Sequence, residues 1–212
     1  MNRNYALAAS IIASGMAWGC TNNGQNHTAA NSPAPGAQTQ SPNYAAVAAA
    51  EAAKEAVAQI HGAGDTHDKI HGTATFTAVD KGLKVVVDVD GLTPGKHGIH
   101  IHEKADLSDP KLMSVGGHFN PEGAEHHHAG LDDTKRHAGD LGNITVDSNG
   151  HGHLDAMTDA LSIEGKNGVV GHSIIIHEKE DDLKTQQPPG NAGGRVAGGA
   201  VMLATGSQRS GA

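Results

Sequence analysis

Histidine is the residue type in this chain that is best suited to carry chemistry. The 212 residues include 16 histidines, whereas aromatic residues make up only 2%. Neutral imidazole is a common ligand for zinc and copper, so clustered histidines indicate metal chemistry first. His100 and His102 are two residues apart, and in a strand both rings would lie on one face, about 6.6 Å apart along the backbone. Such a pair is more often an exposed strand face, but it could also bind one ion.

Further histidines follow in short motifs. His118 lies in GGHFNP, His137 and Asp140 lie in RHAGDLGN, His177 opens HEKEDDL, and His126, His127 and His128 are consecutive. Together with GIHIHE around His100 and GNAGGRVA around Arg195, these motifs resemble, in type and order, the copper/zinc superoxide dismutase family. The resemblance extends from about Ala56 to Ala204.

The resemblance implies one copper site and one zinc site. It assigns copper to His100, His102, His118 and His177. It assigns zinc to His118, which bridges the two ions, and to His128, His137 and Asp140. His128 precedes His137 by nine residues, as in the family. His126 and His127 remain alternatives, because this loop is longer than in eukaryotic members.

Two further residues receive roles from the resemblance. Asp181 matches a carboxylate that links a copper histidine to a zinc histidine, here His100 and His128. It could instead be an ordinary surface acid among its acidic neighbours. Arg195 matches the arginine that guides the superoxide anion, although a surface arginine at a strand start is the alternative.

The implied activity is that of an oxidoreductase, a superoxide dismutase. Copper would alternately oxidise and reduce superoxide to oxygen and hydrogen peroxide, with zinc structural and with His118 and Arg195 catalytic. A non-catalytic copper/zinc-binding or buffering lipoprotein is the alternative function. It is suggested by a surplus of histidines outside the motifs, namely His61, His67, His71, His151, His153 and His172. A metal store would need neither a bridging histidine nor an anion-guiding arginine, so the dismutase is the preferred interpretation.

Strands are the elements predicted to position these residues. Leu83, Val85, Val87 and Val89 alternate with other residues, as in a half-buried strand. The turn residues 147–150 separate two short β-prone runs and predict a hairpin. Further strands are predicted over 72–79, 97–102, 172–177 and 196–204. Two irregular loops, 103–142 and 178–194, are long enough to be functional.

An all-β fold is therefore expected. The resemblance specifies a flattened eight-stranded Greek-key β-barrel of the sandwich type, with the two long loops carrying function. The family's disulfide would join positions close to Leu112 and Gly198, and neither is a cysteine. Cys20 is the only cysteine of the chain, so no such bridge can form. The zinc ligands are then expected to stabilise the loop instead.

The N-terminal third does not look like a packed domain. Residues 1–20 resemble an export signal, with Arg3 before an apolar run too short to span a bilayer. Cys20 follows a sequence that resembles a lipoprotein cleavage site, although Trp18 fits that pattern poorly, and cleavage that leaves a bare thiol is the alternative. Residues 21–50 are predicted to be a flexible linker, 51–206 the folded domain and 207–212 a tail. Within 45–58, alanines favour a helix, whereas Ala56–Ile60 also fits a first strand.

The net charge limits the partners. A charge of −8 with only 15 Lys and Arg argues against nucleic acid and against an anionic membrane surface. The membrane contact expected is a lipid anchor on Cys20, which places the protein in the periplasm or cell envelope. Superoxide is the expected substrate, and monomer and dimer are both left open.

Overall fold

The computed structural model describes residues 54–123, 136–185 and 189–205. These residues belong to the larger of the two units into which the chain divides, residues 40–212. The strands are β1 Glu55–Gly62, β2 His71–Ala78, β3 Leu83–Asp90, β4 Gly95–His102, β5 Asp140–Val146, β6 Gly152–Thr158, β7 Ser173–His177, β8 Arg195–Ala200 and β9 Met202–Leu203. Two short 3-10 helices cover Met113–Val115 and Pro189–Asn191. Within the described ranges, no helix is long and apolar enough to cross a membrane.

The first eight strands close into an antiparallel barrel. Their order is β2-β3-β6-β5-β4-β7-β8-β1, and β1 also pairs with β2, which completes the circle. Because β3 lies beside β6 and β4 beside β7, the connections cross as in a Greek key. The predicted eight-stranded fold is confirmed, with β9 as a short extra strand on β1.

The barrel consists of two four-stranded halves, β1-β2-β3-β6 and β5-β4-β7-β8. The halves meet at two short seams. At one seam β1 and β8 pair through His61 with Gly198 and through Gly62 with Ala197. At the other, β5 and β6 pair through Thr145 with His153 and through Val146 with Gly152.

The alternating pattern of β3 positions the core. Leu83, Val85, Val87 and Val89 are fully buried, and Phe76 of β2 packs in the same cluster. Burial of such a side chain contributes roughly 1.5–3 kcal/mol relative to leaving it in water. The strand prediction is confirmed here, since one face of β3 fills the barrel and the other faces outwards.

Strand β1 resolves the ambiguity left by the sequence. It begins at Glu55, so Ala56–Ile60 form the first strand, which is one of the two possibilities that the sequence left open. Ala56 pairs with Phe76 in β2, and Ile60 is fully buried. Packing into the barrel outweighs the helix propensity of alanine.

The other predicted strands are present with small shifts. The hairpin forms between β5 and β6, where the Asp147 carboxylate accepts hydrogen bonds from the backbone N–H groups of Asn149 and His151. The predicted strand 196–204 is divided at Val201, whose N–H donates to the His172 carbonyl, into β8 and β9. The first long loop ends at residue 139 rather than 142, because β5 already begins at Asp140.

Strand β4 is buried on both faces because the long loops cover the barrel beside it. Ile99 and Ile101 belong to the main core. On the neighbouring strand β7, Ile175 belongs to a second apolar group, which we call the loop cluster. It comprises Ala63, Leu107, Leu112, Val115 and Ile175. This cluster holds the first long loop against the outside of the barrel.

Leu112 and Gly198, where the family's disulfide was expected, are neighbours in space. A Cβ atom placed on Gly198 would lie 3.2 Å from Cδ1 of Leu112 and 2.5 Å from Cδ1 of Ile175. An apolar contact over a bare glycine therefore occupies this position. The sequence suggested zinc as the stabiliser of this loop. The apolar contact is a second candidate.

Candidate metal centre

Strand β4 supplies the first two histidines of the centre. His100 and His102 alternate with the core residues Ile99 and Ile101, and both rings are fully buried. The β4–β5 pairing shifts register between Gly98 and His100, which brings His100 opposite Asp140. Such irregularities often redirect a side chain next to a functional site.

The end of β7 supplies the third histidine. The β7–β8 pairing shifts register after Ile176, so that His177 lies opposite Arg195 at the start of β8. The His97 ring connects this strand end to the residues before β4. Its Nδ1 lies 2.8 Å from the His177 carbonyl, and its Nε2 lies 2.8 Å from the Thr93 carbonyl. His97 was not singled out from the sequence. Its spacing of three from His100 puts it out of phase with the pair on β4.

The first long loop brings His118 to β4. The Phe119 N–H donates to the Ile101 carbonyl over 2.8 Å, and His118 forms an isolated β-bridge with His102. The Gly139 N–H then donates to the Phe119 carbonyl, which ties the segment before β5 to the same place. Backbone hydrogen bonds therefore fix where His118 and the residues after it lie.

Four buried histidines converge at this point. Each offers a ring nitrogen within 4.8 Å of those of the others, and they are His100, His102, His118 and His177. The ring centroids of His100 and His118 are 4.0 Å apart, and those of His102 and His177 are 5.6 Å apart. A set of four imidazoles suits copper.

A second group shares one of these rings. It consists of His118, His137 and Asp140, again with ligand atoms within 4.8 Å of one another. The His118 Nδ1 lies 2.7 Å from Asp140 Oδ1, and the His137 Nδ1 lies 3.7 Å from Asp140 Oδ2. Two imidazoles and one carboxylate suit zinc. His118 is the member common to both groups.

His126, His127 and His128 lie outside the described residues. The assignment of His128 to zinc, and its two alternatives, therefore remain predictions.

Hydrogen bonds determine which ring nitrogen each histidine of the four-histidine group presents. The Nδ1 of His102 lies 3.1 Å from the Gly116 carbonyl, and the Nδ1 of His177 lies 3.2 Å from the Gly193 carbonyl. Their Nε2 atoms consequently face each other at 3.4 Å. In His100 the arrangement is reversed, because Nε2 lies 2.6 Å from the carboxylate of Asp181. Such outer hydrogen bonds fix tautomer and ring orientation in metal sites.

Asp181 is a buried residue and not a surface acid. Its side chain is completely shielded from solvent. Its backbone N–H donates to Asn143 Oδ1 over 2.8 Å, and Asn143 Nδ2 donates to its carbonyl over 2.9 Å. The expected link to His100 is present, whereas the expected link to His128 lies outside the described residues. Asn143, which locks Asp181 in place, was missed because nothing in the sequence relates two residues 38 positions apart.

Burial keeps the ring nitrogens available to a metal. Desolvation is the main cause that lowers the pKa of His102 well below its usual value, with smaller contributions from His118 and Arg195. Desolvation likewise lowers the pKa of His177 to about 4. Both rings are therefore neutral near pH 7, and a neutral imidazole is the form that binds metals.

A cavity of about 260 Å³ leads to three of the four histidines of the first group. It is lined by His102, Met113, Gly117, His118, His177, Ala192, Gly193, Gly194 and Arg195. Arg195 donates through Nη1 to the Leu112 carbonyl and through Nη2 to the Gly116 carbonyl, the latter over 2.6 Å. Desolvation lowers the pKa of this guanidinium, but an arginine stays charged in proteins. The cavity therefore presents a fixed cation beside the histidines.

The sequence is similar to known proteins along most of the described part. A family model for copper/zinc superoxide dismutase matches residues 70–201. An extracellular superoxide dismutase [Cu-Zn] of Drosophila melanogaster is 39% identical over 142 residues, which are 64% of this chain and 77% of the relative. A superoxide dismutase [Cu-Zn] of Deinococcus radiodurans is 42% identical over 141 residues, which are 62% of this chain and 76% of the relative.

A solved structure gives the same result for the fold. The crystal structure of the clock protein EA4 matches with a TM-score of 0.65 and 39% identity, and covers 72% of this chain and 96% of the other. The range of the family model, residues 70–201, contains strands β2 to β8 and every histidine of the two described groups.

Proposed function

The chain belongs to the copper/zinc superoxide dismutase family, and on this premise we propose which side chains hold its metals and where it acts. Its activity is the conversion of superoxide to oxygen and hydrogen peroxide, with copper and zinc as cofactors. The rival function, a non-catalytic metal store, is not favoured by these relatives.

His118 is the residue that carries the assignment. It is the only described residue that belongs to both metal groups. Copper is then held by His100, His102, His118 and His177, and zinc by His118, His137, Asp140 and the predicted ligand His128. Bound copper supplies the one-electron chemistry, since it can alternately accept an electron from one superoxide and give one to the next. Zinc has no redox chemistry and fixes the shared ring.

The protein's own groups prepare this site in three ways. The Gly116 and Gly193 carbonyls and the Asp181 carboxylate orient the rings before metals bind. The Arg195 guanidinium attracts the anion into the cavity, against a net charge of −8 on the whole chain. The cavity, of about 260 Å³, leaves room for a small anion beside the histidines.

A comparison with His118→Ala tests the assignment. The copper- and zinc-reconstituted wild type should consume superoxide, whereas His118→Ala should lose activity and bind both ions more weakly, because one ring serves two ions. His172→Ala is a suitable control, since that half-buried histidine packs against Phe119 with ring centroids 4.0 Å apart and ring planes tilted by 38°, and belongs to neither group. A metal-loaded wild type that consumes no superoxide would instead identify a metal store. Full zinc and an unchanged copper spectrum in His118→Ala would contradict the bridge.

We also propose that the enzyme is exported and anchored by a lipid on Cys20. The apolar run of residues 1–20 and the sequence before Cys20 support this, and one relative is named as extracellular. The linker 21–50 would then separate the barrel from the membrane.

Replacement of the cysteine tests the anchor. Cys20→Ala should move the protein from the membrane fraction to the soluble fraction of the envelope and abolish labelling with a radioactive fatty acid. Specific activity should not change, because Cys20 lies far in sequence from every described residue. Equal recovery of mutant and wild type in membranes would exclude the anchor.

A further inference from the structure

Outside the metal centre, most of the surplus histidines lie on the outer surface of the β1-β2-β3-β6 half of the barrel. His61 of β1 is paired with His71 of β2, and His71 is paired with Asp90 of β3. His151, immediately before β6, lies next to Asp90 on its other side. All four side chains are exposed. Residues paired across strands point to the same face, so these four side chains form one row, which we call the outer row.

The contacts of Asp90 make it the centre of this row. The Nδ1 of His151 lies 3.0 Å from Asp90 Oδ1. The backbone is aligned there by the Gly91 N–H, which donates to the Gly150 carbonyl over 3.0 Å. Two ligands of one tetrahedral zinc ion, each at ~2.0–2.1 Å, stand about 3.4 Å apart. Asp90 and His151 are thus already held near the separation that a shared ion requires.

His71 stands on the opposite side of Asp90, but its ring is turned towards the Lys69 carbonyl, so His71, Asp90 and His151 are not among the described groups whose ligand atoms already lie within 4.8 Å of one another. The Nδ1 of His71 donates to the Lys69 carbonyl over 2.9 Å, which leaves Nε2 as the acceptor nitrogen. Directly paired residues have Cβ atoms about 4.5–5.5 Å apart, within reach of one ion. The His71 ring is exposed, so it can turn towards the carboxylate at the cost of this one surface hydrogen bond.

We propose that His71, Asp90 and His151 bind one exchangeable divalent cation of the borderline type, such as Zn²⁺ or Cu²⁺, on the outside of the barrel. Two imidazoles and a carboxylate are a ligand set for such ions, and exposure leaves the remaining positions to water. The site is separate from the histidine centre. Its existence does not depend on the roles proposed for the residues of that centre.

The next row along the same strands provides a matched control. There His153 lies 2.7 Å from Asp88, with side-chain exposures of 53% and 56%, close to the 48% and 57% of His151 and Asp90. Opposite Asp88, however, stands Thr73 in place of a histidine. The two rows therefore share the His–Asp pair, and the control row has Thr73 and Gln59 where the outer row has His71 and His61.

The experiment is a Zn²⁺ titration of the copper- and zinc-loaded protein by equilibrium dialysis. His71→Ala, His151→Ala and Asp90→Asn should each bind one equivalent fewer than the wild type. His153→Ala and Asp88→Asn should bind as much as the wild type, and superoxide consumption should be unchanged in all five, which also shows that they are folded. Other histidines contribute equally to every member of the series.

Two results would overturn the site. If all six proteins bind the same amount of Zn²⁺, the outer row holds no cation. If His153→Ala loses as much as His71→Ala, the ion lies between His151 and His153 and not across the strands. Imidazole NMR of the wild type gives a second readout, in which Zn²⁺ should shift the His71 and His151 ring resonances together and leave those of His153 in place.

Discussion

Among single residues, Arg195 allows anion capture to be tested independently of metal binding, because its guanidinium lines the cavity without belonging to either metal group. Its guanidinium donates to the carbonyls of Leu112 and Gly116 and, among the described residues, to no histidine ring nitrogen. It nevertheless lines the same cavity as His102, His118 and His177. A charge in such a cavity raises the local concentration of an anion, and the gain decreases as salt screens it.

Arg195→Ala should therefore retain both metals and lower kcat/KM for superoxide, by about tenfold at low ionic strength, within the range known for electrostatic steering. The dependence of the rate on salt should become flatter. Stopped-flow decay of superoxide at several salt concentrations measures both effects. Arg195→Lys keeps the charge but not the planar guanidinium. Its kcat/KM should lie between those of the wild type and Arg195→Ala. An unaltered rate at low salt would remove Arg195 from the mechanism.

His177 gives a pH dependence whose direction follows from its burial. Its pKa is about 4 in the folded, metal-free protein and near 6.5 when unfolded. Between these values the unfolded chain binds a proton that the folded chain does not, so the folded state loses stability as the pH falls from about 6.5 to about 4. Above 6.5 the residue contributes no pH dependence.

The metal-free wild type should therefore lose roughly 3 kcal/mol more unfolding free energy between pH 7 and pH 4 than His177→Gln does. Urea denaturation of both proteins at the two pH values measures this difference. The variant serves as the control because all other carboxylates and histidines titrate in both proteins. Equal losses would show that His177 is not buried as a neutral ring.

At the scale of elements, the first long loop is held by packing at the place where the resemblance to the family implied a disulfide. Leu112 of the loop cluster packs over Gly198 in β8, and its carbonyl is one of the two acceptors of Arg195. Its backbone has a positive φ of 56°, an uncommon conformation for a residue with a side chain. The apolar contact and the orientation of the guanidinium are thus linked through one residue.

Leu112→Ala should destabilise the protein by about 2–5 kcal/mol, the usual cost of such a truncation in a packed cluster. It should also lower the rate in the same salt-dependent way as Arg195→Ala, with both metals retained. Thermal melts and stopped-flow assays check the two effects. Met113→Ala is the matched control for stability, since the side chain of Met113, next to Leu112 in the sequence, is 62% exposed. If Leu112→Ala has the same rate as the wild type, the loop cluster does not affect the orientation of Arg195.

The sequence predicted the elements better than the contacts between their side chains. Alternation located β3, and the His100–His102 spacing located a strand with two rings on one face. The ordered motifs identified the family, and with it the two groups that the structure brings together. The role of Asn143 and the clamp by His97 depend on bonds between distant segments, which no local pattern encodes. The place of the missing disulfide was predicted, but the apolar contact that fills it depends on the tertiary packing of Leu112, Ile175 and Gly198.

At the scale of the whole molecule, no described residue is a cysteine, and Cys20 is the only one in the chain. A thiol reductant, at a level that leaves copper bound, should change neither Tm nor activity. Removal of zinc should lower Tm by at least about 10 °C, because an ion that binds only the folded state adds its binding free energy to stability.

Thermal melts of the holo, reductant-treated and zinc-free forms make this comparison. Amide exchange of Phe119 and Gly139, whose N–H groups tie the loop to β4, should accelerate only in the zinc-free form. If the zinc-free form melts together with the holo form, the loop cluster alone holds the loop and zinc contributes nothing to it.

The two short seams of the barrel have a further consequence for how the fold opens. Every described residue assigned to the metals lies in or beside the β5-β4-β7-β8 half, whereas the outer row lies on the other half. The two halves nevertheless share one hydrophobic core, so opening at either seam exposes apolar side chains of both halves. The amides on the two sides of a seam should therefore lose protection together, and occupancy of the buried metal centre should slow their exchange on both sides.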